Sequence, residues 1–214
     1  MKVLIDNGHG CNTRGKCSPD KRLLEWSYTR KVADLVVSGL KAAGIDAQLL
    51  VPERYDVPLT TRCARANSYC YKMGKNNVLV VSIHVNAAGA DGQWHDAGGW
   101  SAYTSKGETK SDKVAECLYD AATMHLQDYC LRFAEGKAAG DYGKKQKPIR
   151  TDKTDGDRDC EANFTILYNT LCPAVLTENM FQDNRADVDW LLKGGADVLA
   201  KIHIDGIKNY LATL

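Results

Sequence analysis

No apolar run in this 214-residue sequence is long enough to cross a bilayer. The N-terminal residues pass straight from an apolar strand pattern into a glycine turn, without the apolar core of a signal peptide. A soluble chain that does not insert into a membrane is expected, exported by another route, released on lysis or already relieved of a leader. An excess of one charge is also missing. Lys and Arg total 28 against 27 Asp and Glu, and no basic stripe is interleaved with aromatics, so a nucleic-acid partner is excluded. The one dense basic stretch, Lys144-Lys145-Gln146-Lys147, sits in a polar segment and reads as a solvated loop. Eight cysteines are present but none forms a C-x-x-C pair, which argues against a four-cysteine metal site or a thioredoxin-like motif. Cys63 and Cys70 are seven apart in a helical pattern and are expected to share a buried face as free thiols.

What is present is an alternation of strand and helix. Val3-Leu4-Ile5 reads as a first strand, followed by a glycine turn and a polar loop. From about Leu24 to Ala43 apolar residues recur at helical spacing, with Gly44 as the stop. A strand over 45–51 and a helix from Pro58 to Met73 come next. Val78–Ile83 is apolar on both faces, as in the interior of a parallel sheet covered by helices. A loop over His84–Gly98, a strand over Gly99–Thr104 and a helix over Ser111–Tyr129 with Ser111 as its N-cap follow. Residues 131–162 read as a long irregular surface insertion, a candidate flap. Phe164–Leu167 reads as a short strand, Ala174–Glu178 as a clear one, and two helical segments close the chain. The expected fold is a single α/β domain over 1–214, a mainly parallel twisted sheet with helices on both faces.

Four polar residues stand where this reading ends its strands or starts its first helix: His9, Glu25, His84 and Glu178. In open α/β sheets ligands bind at the C-terminal edge of the strands, so these four are expected to meet on one rim. Two imidazoles and one carboxylate suit a catalytic zinc with a free coordination place, where zinc acidifies water and polarises a carbonyl. A second carboxylate nearby can take and return a proton. Spacing alone does not decide which of Glu25 and Glu178 is the ligand. Asp6 is placed to accept the other N–H of a ligand histidine. Asn86, Arg62, Trp94 and Trp100 are candidate substrate contacts: tryptophan faces suit a sugar or peptide, and arginine suits a peptide carboxylate.

Five segments occur in order: Ile5–Gly10 (I-D-N-G-H-G), Leu24–Trp26 (L-E-W), Leu59–Arg62 (L-T-T-R), Ser82–Ala87 (S-I-H-V-N-A) and Pro173–Asn184 (P-A-V-L-T-E-N-M-F-Q-D-N). The set resembles the zinc-dependent N-acetylmuramoyl-L-alanine amidases of the type 3 family, over essentially the whole chain. The resemblance implies Zn2+ held by His9, Glu25 and His84, with Glu178 as catalytic acid/base. It also implies a peptidoglycan substrate, cut between the muramoyl lactyl group and L-alanine. Arg62 and Asn67 fit the family's R-x-x-x-x-N helix pattern. Asn7 departs from the family's D-P-G-H-G, which alters turn stiffness and removes none of the chemistry. The 94–100 segment and the 131–162 stretch also depart, in the manner of gut-bacterial and phage-associated members. The competing readings are a zinc exopeptidase or carboxypeptidase on ordinary peptides, and a non-catalytic wall-binding module.

Overall fold

In the strands Lys2–Asn7 (β1), Val78–Asn86 (β3) and Ala174–Phe181 (β7), nearly every side chain is buried, because both faces of the sheet are covered. The computed structural model describes residues 1–134 and 146–214. Ala47–Leu49 (β2), Gly98–Thr104 (β4), Gln146–Ile149 (β5) and Cys160–Glu161 (β6) complete the sheet among the described residues. Its order is β2-β1-β3-β7-β4-β5, with β6 also pairing β4. All pairings are parallel except β4 with β7. The mainly parallel sheet is therefore as expected, with one antiparallel junction.

Alternate residues of the central strands feed two cores. Val3, Ile5, Leu79, Val81, Ile83 and Val175 pack against helices Glu25–Ala42 (α1), Lys110–His125 (α3) and Ala196–Leu211 (α7). Leu4, Val78, Val80, Ala174 and Leu176 face helices Leu59–Met73 (α2) and Thr165–Tyr168 (α5). Gln127–Ala134 (α4) and Arg185–Trp190 (α6) lie between these elements in the chain. Cys63 and Cys70 are both buried on the inner face of α2, and all eight cysteines are unbridged. No described helix is long and apolar enough to cross a membrane.

Several local expectations need correction. Phe164–Leu167 does not form a strand. Ile166 and Leu167 are adjacent and both buried, a pattern that suits one helical turn and not a half-exposed strand. The cap of α3 is Thr109, in reciprocal hydrogen bonds with Asp112, and Ser111 Oγ instead accepts from the backbone N–H of Ala174. The helix expected to run to Tyr129 ends at His125, and α4 begins two residues later. The 131–162 stretch is less irregular than expected: α4 enters it, and β5 and β6 add to the edge of β4. Its central part, 135–145, where a flap was expected, lies outside the described residues. So do Lys144 and Lys145.

Candidate metal centre and catalytic cleft

The strand-end placement of the polar residues is corrected for two of them. β3 continues through His84 to Asn86 and β7 continues through Glu178 to Phe181. The two residues are register partners on neighbouring parallel strands. Strand alternation then aims both away from the α7 face, because Ile83, Val85 and Thr177 take that side. His9 lies two residues beyond β1, at a positive φ of 59°, an uncommon conformation for a residue with a side chain. The residues on either side of it leave no room for a side chain. A Cβ on Gly8 would lie 2.6 Å from the His84 ring, and one on Gly10 would lie 1.9 Å from the backbone nitrogen of Asp56.

Glu25 is the first residue of α1 and is 1% exposed. Its Oε1 accepts from the Val85 N–H at 3.0 Å and lies 3.2 Å from His84 Nδ1 and 3.4 Å from His9 Nε2. The rings of His9 and His84 stand edge to face, 5.1 Å apart. One donor atom from each of His9, Glu25 and His84 lies within 4.8 Å of the others. Two imidazole nitrogens and a carboxylate at this separation could hold a divalent cation. The other oxygen of Glu25, Oε2, is buried without a hydrogen-bond partner among the described residues, as a ligand atom would be.

The charges follow from the packing. Burial pushes the His9 pKa down to about 4, against a partial pull from Glu25, so its ring is neutral at neutral pH, the form in which an imidazole can bind a metal. Burial would raise the Glu25 carboxyl, but the His84 ring and its charge hold it below the ordinary range. Burial lifts Glu178 to about 7, with His84 and Lys16 pulling down and Glu25 pushing up. A carboxylate at that value is poised to exchange a proton near neutral pH.

His9, His84 and Glu178 line one cavity of about 520 Å3, together with Lys16, Asp56, Arg62 and the apolar side chains of Leu59, Phe164, Ile166 and Leu176. The other expected contacts are not in it, or are already committed. Arg62 is 2% exposed, and all five of its N–H groups are used. They reach Asp6, Asp56 and the carbonyls of Val57, Asn7 and His9, so it holds the His9 turn and is not free for a substrate carboxylate. Asp6 does not orient a histidine, since its two oxygens accept from Arg62 and Ser82. Trp100 is fully buried, with Nε1 donating to Asn179. Trp94 is partly buried against the core beneath the Arg185 guanidinium, outside the cavity. Asn86 also lies outside it, its side-chain oxygen accepting from the Ala87 N–H. Asn67 joins α2 to the turn at Asn169 and Leu171.

Sequence reading missed a framework behind Glu178. Asn179 Nδ2 donates to the His84 carbonyl and to Thr177 Oγ1. Thr177 Oγ1 lies 2.9 Å from Nε2 of the fully buried His203, whose Nδ1 lies 2.7 Å from the Leu199 carbonyl. The T-E-N triplet was the available signal. In a strand its outer two residues must face away from the middle one.

Comparison with known proteins bears on the family and the fold. The chain is 28% identical over 211 residues to the N-acetylmuramoyl-L-alanine amidase CwlM of Bacillus licheniformis, covering 97% of this chain and 67% of that protein. It is 25% identical over 214 residues to the endolysin of Bacillus phage SPP1, covering 98% of this chain and 65% of that protein. The chain thus spans about two thirds of the length of either relative. An N-acetylmuramoyl-L-alanine amidase from Clostridium difficile 630 shares the fold at a TM-score of 0.72 and 21% identity, covering 100% of this chain and 97% of that one. Ami1 from Mycobacterium smegmatis does so at 0.73 and 17%, covering 100% and 98%. The family model for type 3 N-acetylmuramoyl-L-alanine amidases matches residues 3–209, nearly the full length, and the chain belongs to that family.

Proposed function

We propose that this chain is a zinc-dependent peptidoglycan hydrolase. It cleaves the amide between the lactyl group of N-acetylmuramic acid and L-alanine, acting at the bacterial cell wall. The observation that carries the reading is the pairing of Glu178 with His84 across β7 and β3. It puts a carboxylate of pKa about 7 in the same cavity as His9 and His84, the two imidazoles of a donor set that the buried Glu25 completes behind them. That set, His9, Glu25 and His84, suits Zn2+, and the partnerless Glu25 Oε2 fits a ligand role. When bound, zinc would acidify a water and polarise the scissile carbonyl. Glu178, in its ionised form, takes the proton of the attacking water and returns it to the departing alanine nitrogen. Arg62 and Asn179 touch backbone carbonyls of His9 and His84 and keep the two rings in place. The domain family and the named relatives support the choice of bond.

Digestion of purified peptidoglycan, with and without a chelator, tests this. Release of free L-alanine amino termini, abolished by the chelator and restored by zinc, is expected. New termini inside the peptide would overturn the bond assignment in favour of a peptidase. Undiminished activity in the chelated protein would overturn the zinc.

A further inference from the structure

We propose that Lys16 is a specificity-determining residue of the cleft, binding a carboxylate on the residue that follows the scissile alanine. The inference rests on the amidase reading above and extends it to the chemistry of the peptide. Lys16 lines the cavity with His9, His84 and Glu178. Its ammonium has no hydrogen bond or ion pair among the described residues. The other cation of the cavity wall, Arg62, is fully committed. The carboxylate of Asp56 is also taken, by Arg62 and by the Thr13 hydroxyl.

The position of Lys16 is set by the strap that sets the metal ligand. Its carbonyl accepts from the backbone N–H of Glu25 at 3.0 Å, and the next residue, Cys17, bridges Leu24. Its charge reaches both His9 and Glu178, lowering the pKa of each. An ammonium on the cavity wall without a protein partner among the described residues is open to an anionic group of the substrate. On the acyl side of the scissile amide the substrate offers a sugar with neutral hydroxyl and acetamide groups. Carboxylates occur only on the peptide side. The apolar wall of Leu59, Phe164 and Ile166 suits the uncharged remainder.

Two disaccharide-tripeptides separate the possibilities, one with a free α-carboxylate on the second residue and one with that group amidated. With zinc-loaded wild-type protein, kcat/KM is expected to favour the carboxylate by about tenfold, the effect lying in KM, since an ion pair made equally in the ground and transition states changes binding alone. Lys16→Met should raise KM on the carboxylate substrate only and remove the preference, and Lys16→Arg should keep it. Equal use of both substrates by the wild type overturns the proposal, as does a preference that survives in Lys16→Met. A fall in kcat of equal size on both substrates would instead make Lys16 an electrostatic partner of Glu178. If neither substrate yields a free L-alanine terminus, the amidase reading fails, and the proposal falls with it.

Discussion

Glu178, within β7, and Arg62, on α2, both line the cleft, yet their environments set them apart. Glu178 has one oxygen buried without a partner among the described residues and a pKa lifted to about 7, which suits a group that exchanges a proton. Glu178→Gln removes the proton acceptor and keeps the shape. Turnover is expected to fall by about 10²–10⁴-fold while zinc stoichiometry, read by metal analysis after gel filtration, stays at the wild-type level. His84→Ala should lose both. Arg62 is the reverse case, a charge with every donor satisfied. Arg62→Met leaves Asp6 buried and without its cation, and is expected to cost about 3–5 kcal/mol in urea unfolding. Chemistry thus sits where partners are lacking, and stability where they are complete. That difference could not be read from the sequence, where Arg62 looked like a substrate contact.

At the scale of elements, the site depends on how closely β1, β3 and β7 approach one another. Gly8 passes against the His84 ring, and Gly8→Ala forces the ring aside. Zinc affinity, measured by competition with a chromogenic chelator, is expected to fall at least about tenfold, with the far-ultraviolet circular dichroism unchanged. The junction of β7 with α7 is held by the buried Thr177–His203 contact, and it carries a pH signature. Burial lowers His203 to about 4. Between that value and about 6.5 the unfolded chain binds a proton that the folded one refuses, so stability rises with pH across this window. His203 therefore contributes its full stability above about pH 6.5, and this is lost as the pH falls toward 4, a difference of roughly 3 kcal/mol. Urea unfolding at pH 7 and pH 5 should show a smaller drop for His203→Gln than for the wild type. An equal drop would place the pH sensitivity elsewhere. The misread elements have a physical cause too. A four-residue stretch such as Phe164–Leu167, with three apolar residues, has no period long enough to tell a helical turn from a strand, and packing against α2 decided it.

For the molecule as a whole, a metal held by His9, Glu25 and His84 would join the turn after β1, α1 and β3, so the proposed zinc is expected to act as a tertiary cross-link. Chelation should lower the thermal midpoint by roughly 5–10 °C, since a ligand at 100 times its Kd adds about 2.7 kcal/mol and a chain of this size shifts about 2–4 °C per kcal/mol. A calorimetric scan before and after zinc return checks this, and identical midpoints would mean the site does not bind zinc tightly. The amino-acid pattern by itself determined the strand–helix alternation, the parallel core and the four residues that converge. Those are consequences of periodicity and of strand order, which are local or nearly so. It also carried the family, through motifs in a fixed order. Only the tertiary structure decided that His84 and Glu178 are neighbours within strands and that Arg62, Asp6 and Trp100 are spent on the framework. It also decided that Lys16, in a loop with no motif of its own, lines the cleft with an ammonium that has no partner among the described residues. Whether a polar group is committed depends on which partners arrive from distant parts of the chain, and sequence spacing holds no record of that.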